Sequence, residues 1–207
     1  MDAVNLNFED ATVSYYKDYL NEERAQHLFA ETSELFSSEQ NNMICDNEKN
    51  PLYRLNRKTI VFIDDGIDKS LIPKIWGDNV TVLEFTPALQ ALKSDLESKL
   101  DYKFNVCLAN YYLTGKKSIG WHSDSEEKGS TSCIASISLG STREFAFRQK
   151  NSCDVYAKQR LGSGSLLVMG PGCQENYQHR LLVDKTCHSP RLNLTFRLFD
   201  SERYGQN

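Results

Sequence analysis

No apolar run in the 207-residue chain reaches the ~18 to 20 residues needed to cross a bilayer as a helix, which argues against a helical membrane protein. The six cysteines, at 45, 107, 133, 153, 173 and 187, include no Cys-x-x-Cys pair. That removes the usual spacings of a zinc ribbon or a thioredoxin-type redox site, and a chain of this size does not need a disulfide scaffold. Proline is scarce, at five residues, and there is no internal repeat, low-complexity tract or linker composition. The segment Met1-Asp2-Ala3-Val4-Asn5 lacks the basic and apolar regions of a signal peptide, so an intracellular protein with reduced thiols, in cytoplasm or nucleus, is expected. Histidine is scarce as well: positions 27, 122, 179 and 188 are the only imidazoles on which any metal or proton chemistry can draw.

What is present is a 40% hydrophobic composition, enough for one good core and a single domain over 1–207. Charge is uneven along the chain. Residues 1–50 carry eleven acidic side chains against three basic ones, a net of −8, whereas 51–207 carry 21 basic against 17 acidic, a net of +4. The larger part therefore permits a polyanionic partner without demanding one.

Hydrophobic period divides the chain further. Asn21 followed by Glu22 and Glu23 reads as a helix start, and Leu28, Phe29, Thr32, Leu35 and Phe36 continue it as an amphipathic helix over about 22–37. The polar tract 37–50 reads as loop. Thr59 to Ile63 is a short strand closed by the turn signal Asp64-Asp65-Gly66, and 71–82 is broken by Pro73 and Gly77. Pro87 opens a second helix to about residue 100, with Leu89, Leu92, Leu96 and Leu100 on one face. Beyond 103 the pattern turns to strands: 104–112, 133–139, 143–148, 155–161, 165–169 and 191–199. Helices gathered ahead of many short strands predict a mostly β protein, a sandwich or jelly roll with helices supporting one face. The reading is a helical, substrate-lid portion over about 1–100 and a β core over about 101–200.

Two constellations carry chemistry. In Ser118-Ile119-Gly120-Trp121-His122-Ser123-Asp124, an extended backbone would turn His122 and Asp124 to one side. An imidazole and a carboxylate need only a second histidine to form the facial triad that holds Fe(II) and leaves positions open. His179 is preferred for that role because it follows strand 165–169 and Gly170-Pro171-Gly172, which let the chain turn back; His188 is the rival. In the last strand Arg191, Asn193, Thr195 and Arg197 alternate strictly with Leu192, Leu194, Phe196 and Leu198. A face with two arginines asks for an anion, since a guanidinium leaving water must be paired. Six residues of strand span roughly 20 Å, so both arginines must lean inward to meet one small diacid; 2-oxoglutarate fits. Asn110 and Tyr112, two apart on an earlier strand, are donors suited to the same ligand.

Asn110-Tyr111-Tyr112, His122-x-Asp124, His179 and Arg191-x-Asn193-x-x-x-Arg197, with Gly120-Trp121-His122-Ser123-Asp124, Ile134 to Gly140 and Arg143-Glu144-Phe145 around them, resemble the AlkB family of Fe(II)/2-oxoglutarate dioxygenases over about residues 100–199. The resemblance implies a double-stranded β-helix with iron on His122, Asp124 and His179. By the same likeness Arg191, Asn193 and Tyr112 bind the distal carboxylate of 2-oxoglutarate, Arg197 pairs with the carboxylate next to the keto group, and Asn110 assists. The implied reaction uses O2 to demethylate 1-methyladenine or 3-methylcytosine in DNA or RNA, releasing formaldehyde and succinate. His122 would also wall the base pocket, and Glu126 and Glu127 would attract a cationic base unless they are simply a solvated loop. Tyr53, Phe62 and Trp76 are candidates for the opposing aromatic wall, and Arg54, Arg57 and Lys58 for phosphate contacts. The alternatives are a dioxygenase acting on another RNA modification or a protein side chain, and a catalytically silent β-sandwich binding module. A monomer with no membrane partner is expected.

Overall fold

The structure, a computed structural model, describes residues 3–36, 43–45, 51–54, 56–78, 80–124 and 130–200. In chain order its elements are β1 (Val4–Asn5), β2 (Val13–Tyr16), α1 (Glu22–Glu34), β3 (Met43–Cys45), β4 (Pro51–Arg54), β5 (Lys58–Ile63), α2 (Leu71–Trp76), β6 (Thr81–Glu84), α3 (Pro87–Leu100), β7 (Val106–Tyr112), β8 (Ile119–His122), β9 (Ser130–Gly140), β10 (Arg143–Gln149), β11 (Ala157–Leu161), β12 (Ser165–Met169), α4 (Cys173–Asn176), β13 (Tyr177–Leu181) and β14 (Arg191–Leu198).

Local chemistry sets the helix ends. The Asn21 side chain accepts from the Arg24 N–H at 2.9 Å, and Glu22 and Glu23 occupy the positive first turn of α1. Thr86 Oγ1 accepts from the Leu89 N–H at 3.3 Å, and Pro87 follows where a missing N–H costs nothing. Helix α3 stops at Asp101, which takes a left-handed conformation (φ 48°). Both helices bury the stripe that their period presents: Ala25, Leu28 and Thr32 in α1, and Leu89, Leu92 and Leu96 in α3.

The strands form an eight-stranded sheet, in the order β1-β2-β12-β9-β14-β7-β5-β6, and a four-stranded sheet, β11-β10-β13-β8. Within the large sheet only the β5–β6 pairing is parallel. Strands β3 and β4 form a separate ribbon. Helices α1 and α3 cover one face of the large sheet, where Ile60, Phe62, Ala109, Ile137, Leu194 and Phe196 pack against their apolar stripes. The other face meets the small sheet: Val13, Ile134, Leu167 and Met169 pack on Phe147, Leu161 and Tyr177. Two antiparallel sheets face to face, with helices outside the larger one, are the jelly-roll layering expected from the sequence.

Strand β14 is central. It pairs with β9 on one side and β7 on the other, and its period of two sends Leu192, Leu194 and Phe196 into the helix-facing core while Arg191, Asn193, Thr195 and Arg197 face between the sheets. The first hundred residues are more strand-rich than the sequence pattern suggests. Strand β2 pairs with β12, β5 with β7, and β6 with β5, so this portion builds both flanks of the large sheet. Of these, β5 is the strand read from Thr59 to Ile63, whereas β2 and β6 are four residues each and too short to show alternation. The segment that delivers His179 is likewise a strand, β13, with alternating burial, and α1 ends three residues earlier than the pattern implies.

Candidate active site

Strands β8 and β13 are adjacent and antiparallel, and His122 and His179 are direct partners across that ladder. Cross-strand partners project to one face, and here the ring centroids lie 4.4 Å apart. Strand β8 ends at His122, so Asp124 arrives on the turn beyond it rather than on the strand itself. That turn is pinned twice: the Asp124 N–H donates to Gln174 Oε1 (2.9 Å), and Ser123 Oγ donates to the Tyr177 carbonyl (2.7 Å). His179 Nε2 lies 4.0 Å from Asp124 Oδ2, and one ligand atom from each of His122, Asp124 and His179 falls within 4.8 Å of the others.

The three groups carry the protonation states a metal requires. His122 Nδ1 lies 2.8 Å from the Gly120 carbonyl, which can only accept, so the proton sits there and Nε2 keeps a free lone pair. Burial depresses the His122 pKa despite that bond. Burial also pushes His179 down to about 3, helped by the neighbouring His122 and Arg197 against the pull of Asp124. For Asp124 burial acts upward, but Arg197 and the two imidazoles outweigh it and hold the carboxyl at about 2. Two neutral imidazoles and one carboxylate, with the His179 ring stacked on Phe145 at 5.3 Å, are the donor set of a facial triad.

Beside this cluster runs a polar floor from the large sheet. Arg191 pairs in register with Tyr112, and Asn193 with Asn110. Arg191 is 2% exposed, its Nη2 donates to Ser138 Oγ at 2.9 Å, its guanidinium lies 5.7 Å from the Tyr112 ring centre, and its Nε has no partner among the described residues. Burial lowers its pKa to about 10, so the cation persists at neutral pH. Arg197, also buried, sits 3.5 Å from both carboxylate oxygens of Asp124, a pairing the sequence pattern does not reveal. Asn193 Nδ2 donates to Ser136 Oγ (2.8 Å) and to the Ile137 carbonyl (2.9 Å). A cavity of about 120 Å³ is lined by His122, Asp124, His179, Asn110, Tyr112, Arg191, Asn193 and Arg197 together. All eight candidates for iron and 2-oxoglutarate therefore meet in one place.

The outer candidates divide. Arg57 lines the cavity and its Nε donates to Asn110 Oδ1 at 2.7 Å, while Thr59 Oγ1 reaches the same oxygen at 3.2 Å. With Oδ1 so occupied, the Asn110 amide N–H groups are the ones left for a ligand. Trp76 also lines the cavity. Phe62 does not: it is fully buried on the helix-facing side of β5, 6.2 Å from Phe85, and cannot wall a base pocket. Its position in the unbroken apolar run Ile60–Ile63 leaves no alternation from which to assign a face. Lys58 donates to the Phe36 carbonyl beyond the end of α1. His27 pairs with Glu31 on the surface of α1, and His188 is exposed on a loop outside the cavity. Glu126 and Glu127 and the side chains of Tyr53 and Arg54 lie outside the described residues.

Gln174 is the functional residue that sequence reasoning misses, because nothing in Cys173-Gln174-Glu175-Asn176 distinguishes it. It is buried, and it fixes the backbone from which Asp124 projects. Replacing Gln174 with leucine keeps the volume and removes the acceptor. The expected result is a metal affinity lower by roughly 10- to 100-fold, measured by Co(II) titration.

Residues 12–197 match the family model described as the 2OG-Fe(II) oxygenase superfamily. The mouse alpha-ketoglutarate-dependent dioxygenase alkB homolog 3 is 40% identical over 120 residues, covering 54% of this chain and 42% of that protein. The bovine DNA oxidative demethylase ALKBH2 is 34% identical over 154 residues, 68% of this chain and 52% of that protein. The chain thus spans about half the length of these curated relatives. Among solved structures, that of OsALKBH1 superposes with a TM-score of 0.61 at 20% identity, over 93% of this chain and 99% of that one. A prolyl hydroxylase from Trichoplax adhaerens, in complex with a hypoxia inducible factor peptide, gives 0.58 at 11% identity, over 93% and 85%. At those identities the likeness is one of fold.

Proposed function

The chain belongs to the 2OG-Fe(II) oxygenase superfamily, as an AlkB-like member, and from that premise we propose that it oxidatively demethylates alkylated nucleobases in DNA or RNA. The observation that carries the reading is the meeting of two neutral imidazoles and a carboxylate with a buried guanidinium that no carboxylate pairs among the described residues. Such a cation is costly unless an anion arrives, and its planar fork suits a carboxylate.

When bound, Fe(II) with 2-oxoglutarate and O2 supplies oxidation of an unactivated C–H bond, the oxoacid leaving as succinate and CO2. The chain's own residues prepare that chemistry by position and charge. His122, Asp124 and His179 would hold the ion. Arg191 would clasp the distal carboxylate of the oxoacid, with Tyr112 and Asn193 beside it and Ser138 fixing the guanidinium from behind. Arg197 would serve two carboxylates, orienting Asp124 and meeting the oxoacid end nearest the metal. Asn110, its carbonyl held by Arg57 and Thr59, would present its N–H groups to the ligand. The methyl group to be oxidised sits on a base nitrogen, so hydroxylation yields a hydroxymethyl group that departs as formaldehyde. A base stacked in a duplex cannot reach a cavity between two sheets, so it must be flipped out or met in a single strand. Arg57, on the cavity lining, is the described side chain best placed to meet the substrate; Glu126 and Glu127, two and three residues after Asp124 in sequence, would favour a cationic base such as 1-methyladenine or 3-methylcytosine.

The test is incubation with Fe(II), ascorbate, 2-oxoglutarate and oligonucleotides bearing 1-methyladenine or 3-methylcytosine, as DNA and RNA, single- and double-stranded. Formaldehyde and succinate in equal amounts are expected. Succinate without repair of any oligonucleotide would move the substrate to another RNA modification or a protein side chain. Neither product from the metal-loaded protein would leave a binding module.

A further inference from the structure

The small sheet has a second face, turned away from the cavity, and its composition is unlike a neutral surface. The register puts Glu144, Ala146 and Arg148 of β10, Lys158 and Arg160 of β11, and Gln178 and Arg180 of β13 on that side. Ala146 is fully buried there, flanked in register by Lys158 and Arg180, whose long stems can lie across the sheet. Glu144 neutralises Lys158 at 3.0 Å. Among the described residues neither Arg148 nor Arg180 has a carboxylate partner.

Trp121, on the edge strand β8, gathers those two cations. The Arg148 guanidinium lies 4.7 Å and that of Arg180 5.1 Å from its ring centre, within cation–π range. Arg148 is fixed further by Nε and Nη2 bonds to Gln178 Oε1, at 2.9 and 2.7 Å, and its Nη1 bonds no described residue. Holding two like charges over one ring costs repulsion that an anion between them would relieve. The four strands set the face about 14 Å wide at ~4.8 Å per step, so it is a track rather than a point. It also adjoins the chemistry: Trp121 and His122 are consecutive residues on opposite faces of the same edge strand.

We propose that this face, with Arg148 and Arg180 held by Trp121, carries the phosphates of the nucleic-acid strand whose target base enters the cavity around the β8 edge. This rests on the nucleic-acid reading above. The face contributes affinity and register without reading sequence, as phosphate contacts do.

The test measures binding of the metal-loaded protein to an unmodified single-stranded 15-mer across a salt series, by fluorescence anisotropy, beside its demethylation activity. Arg148→Gln with Arg180→Gln should lower the slope of log affinity against log salt by about 1.4, at ~0.7 per lost phosphate contact on a single strand. Lysine at both positions should restore most of the slope, which a merely structural role for the guanidiniums would not predict. Should the double variant fail to fold, Arg180→Gln alone takes its place with half the change expected. A wild-type protein that binds and demethylates, paired with a variant of unchanged slope, overturns this surface and leaves the function standing. A wild-type protein that neither binds nor demethylates any oligonucleotide overturns the function, and this surface with it.

Discussion

Asp124→Ala is expected to lose bound metal and, with it, turnover, by two to four orders of magnitude. The carboxylate is one of only three ligand groups in the cluster, and it also neutralises Arg197, which is 3% exposed. Removing one member of a buried ion pair costs about 3–5 kcal/mol because the surviving charge is left in a poor solvent, and each 1.4 kcal/mol is about a factor of ten. That penalty falls on folding stability and adds to the loss of the metal bond, so the variant should also melt lower than the wild-type protein. Titration with Co(II), followed by its visible absorption, separates this from a failure of oxoacid binding. Retained metal at wild-type affinity would dissolve the triad assignment. His179→Ala should behave alike, whereas His188→Ala should leave the titration where it was, since that side chain stands in solvent outside the cavity.

The second large effect concerns Arg191→Met. Its apparent KM for 2-oxoglutarate should rise by roughly 30- to 3000-fold, the range spanned by about 2–5 kcal/mol for truncating a buried charge–charge contact. Turnover at saturating oxoacid should change far less, because Arg191 stands at the far end of the cavity floor from Arg197 and the metal cluster. A second signature runs the other way. Without oxoacid, Arg191 is a buried cation whose partners among the described residues are a hydroxyl and a ring, so replacing it with an apolar side chain of similar length should raise the melting temperature of the ligand-free protein. The stabilisation that 2-oxoglutarate gives the wild-type protein should disappear. A variant that melts lower and keeps its KM would mean that Arg191 is structural and that the anion site lies elsewhere.

How much of this was legible in the sequence depended on whether a segment had one neighbour or two. Strand β14 announces itself because its two faces meet different media, helix-side oil and a polar cavity, and its alternation is unbroken from Arg191 to Leu198. Helix α3 is equally plain, since Thr86, Pro87 and the leucine period all agree. His122 was readable from an extended backbone, yet Asp124 lies past the strand end and depends on Gln174, a contact made across 50 residues of sequence. Arg197 was readable as a buried cation, but its grip on Asp124 was not, because pairing across a sheet leaves no local mark. Phe62 went to the wrong face for a related reason: a strand buried on both sides shows no period at all. Strands β1, β2 and β6 were hidden because two to four residues carry too little pattern.

The placement of β14 between β9 and β7 has a consequence for synthesis. Until residues 191–198 emerge, β7 and β9 have no partner to join them, and the strip that will accept Leu192, Leu194 and Phe196 stands open beneath two helices. A nascent chain halted short of that point would hold half a barrel with two raw edges, the kind of intermediate that sticks to its own kind. Ribosome-bound intermediates should therefore recruit holdase chaperones until β14 slides home. Oxoacid binding would then serve as a late checkpoint, registering only molecules whose closure is complete.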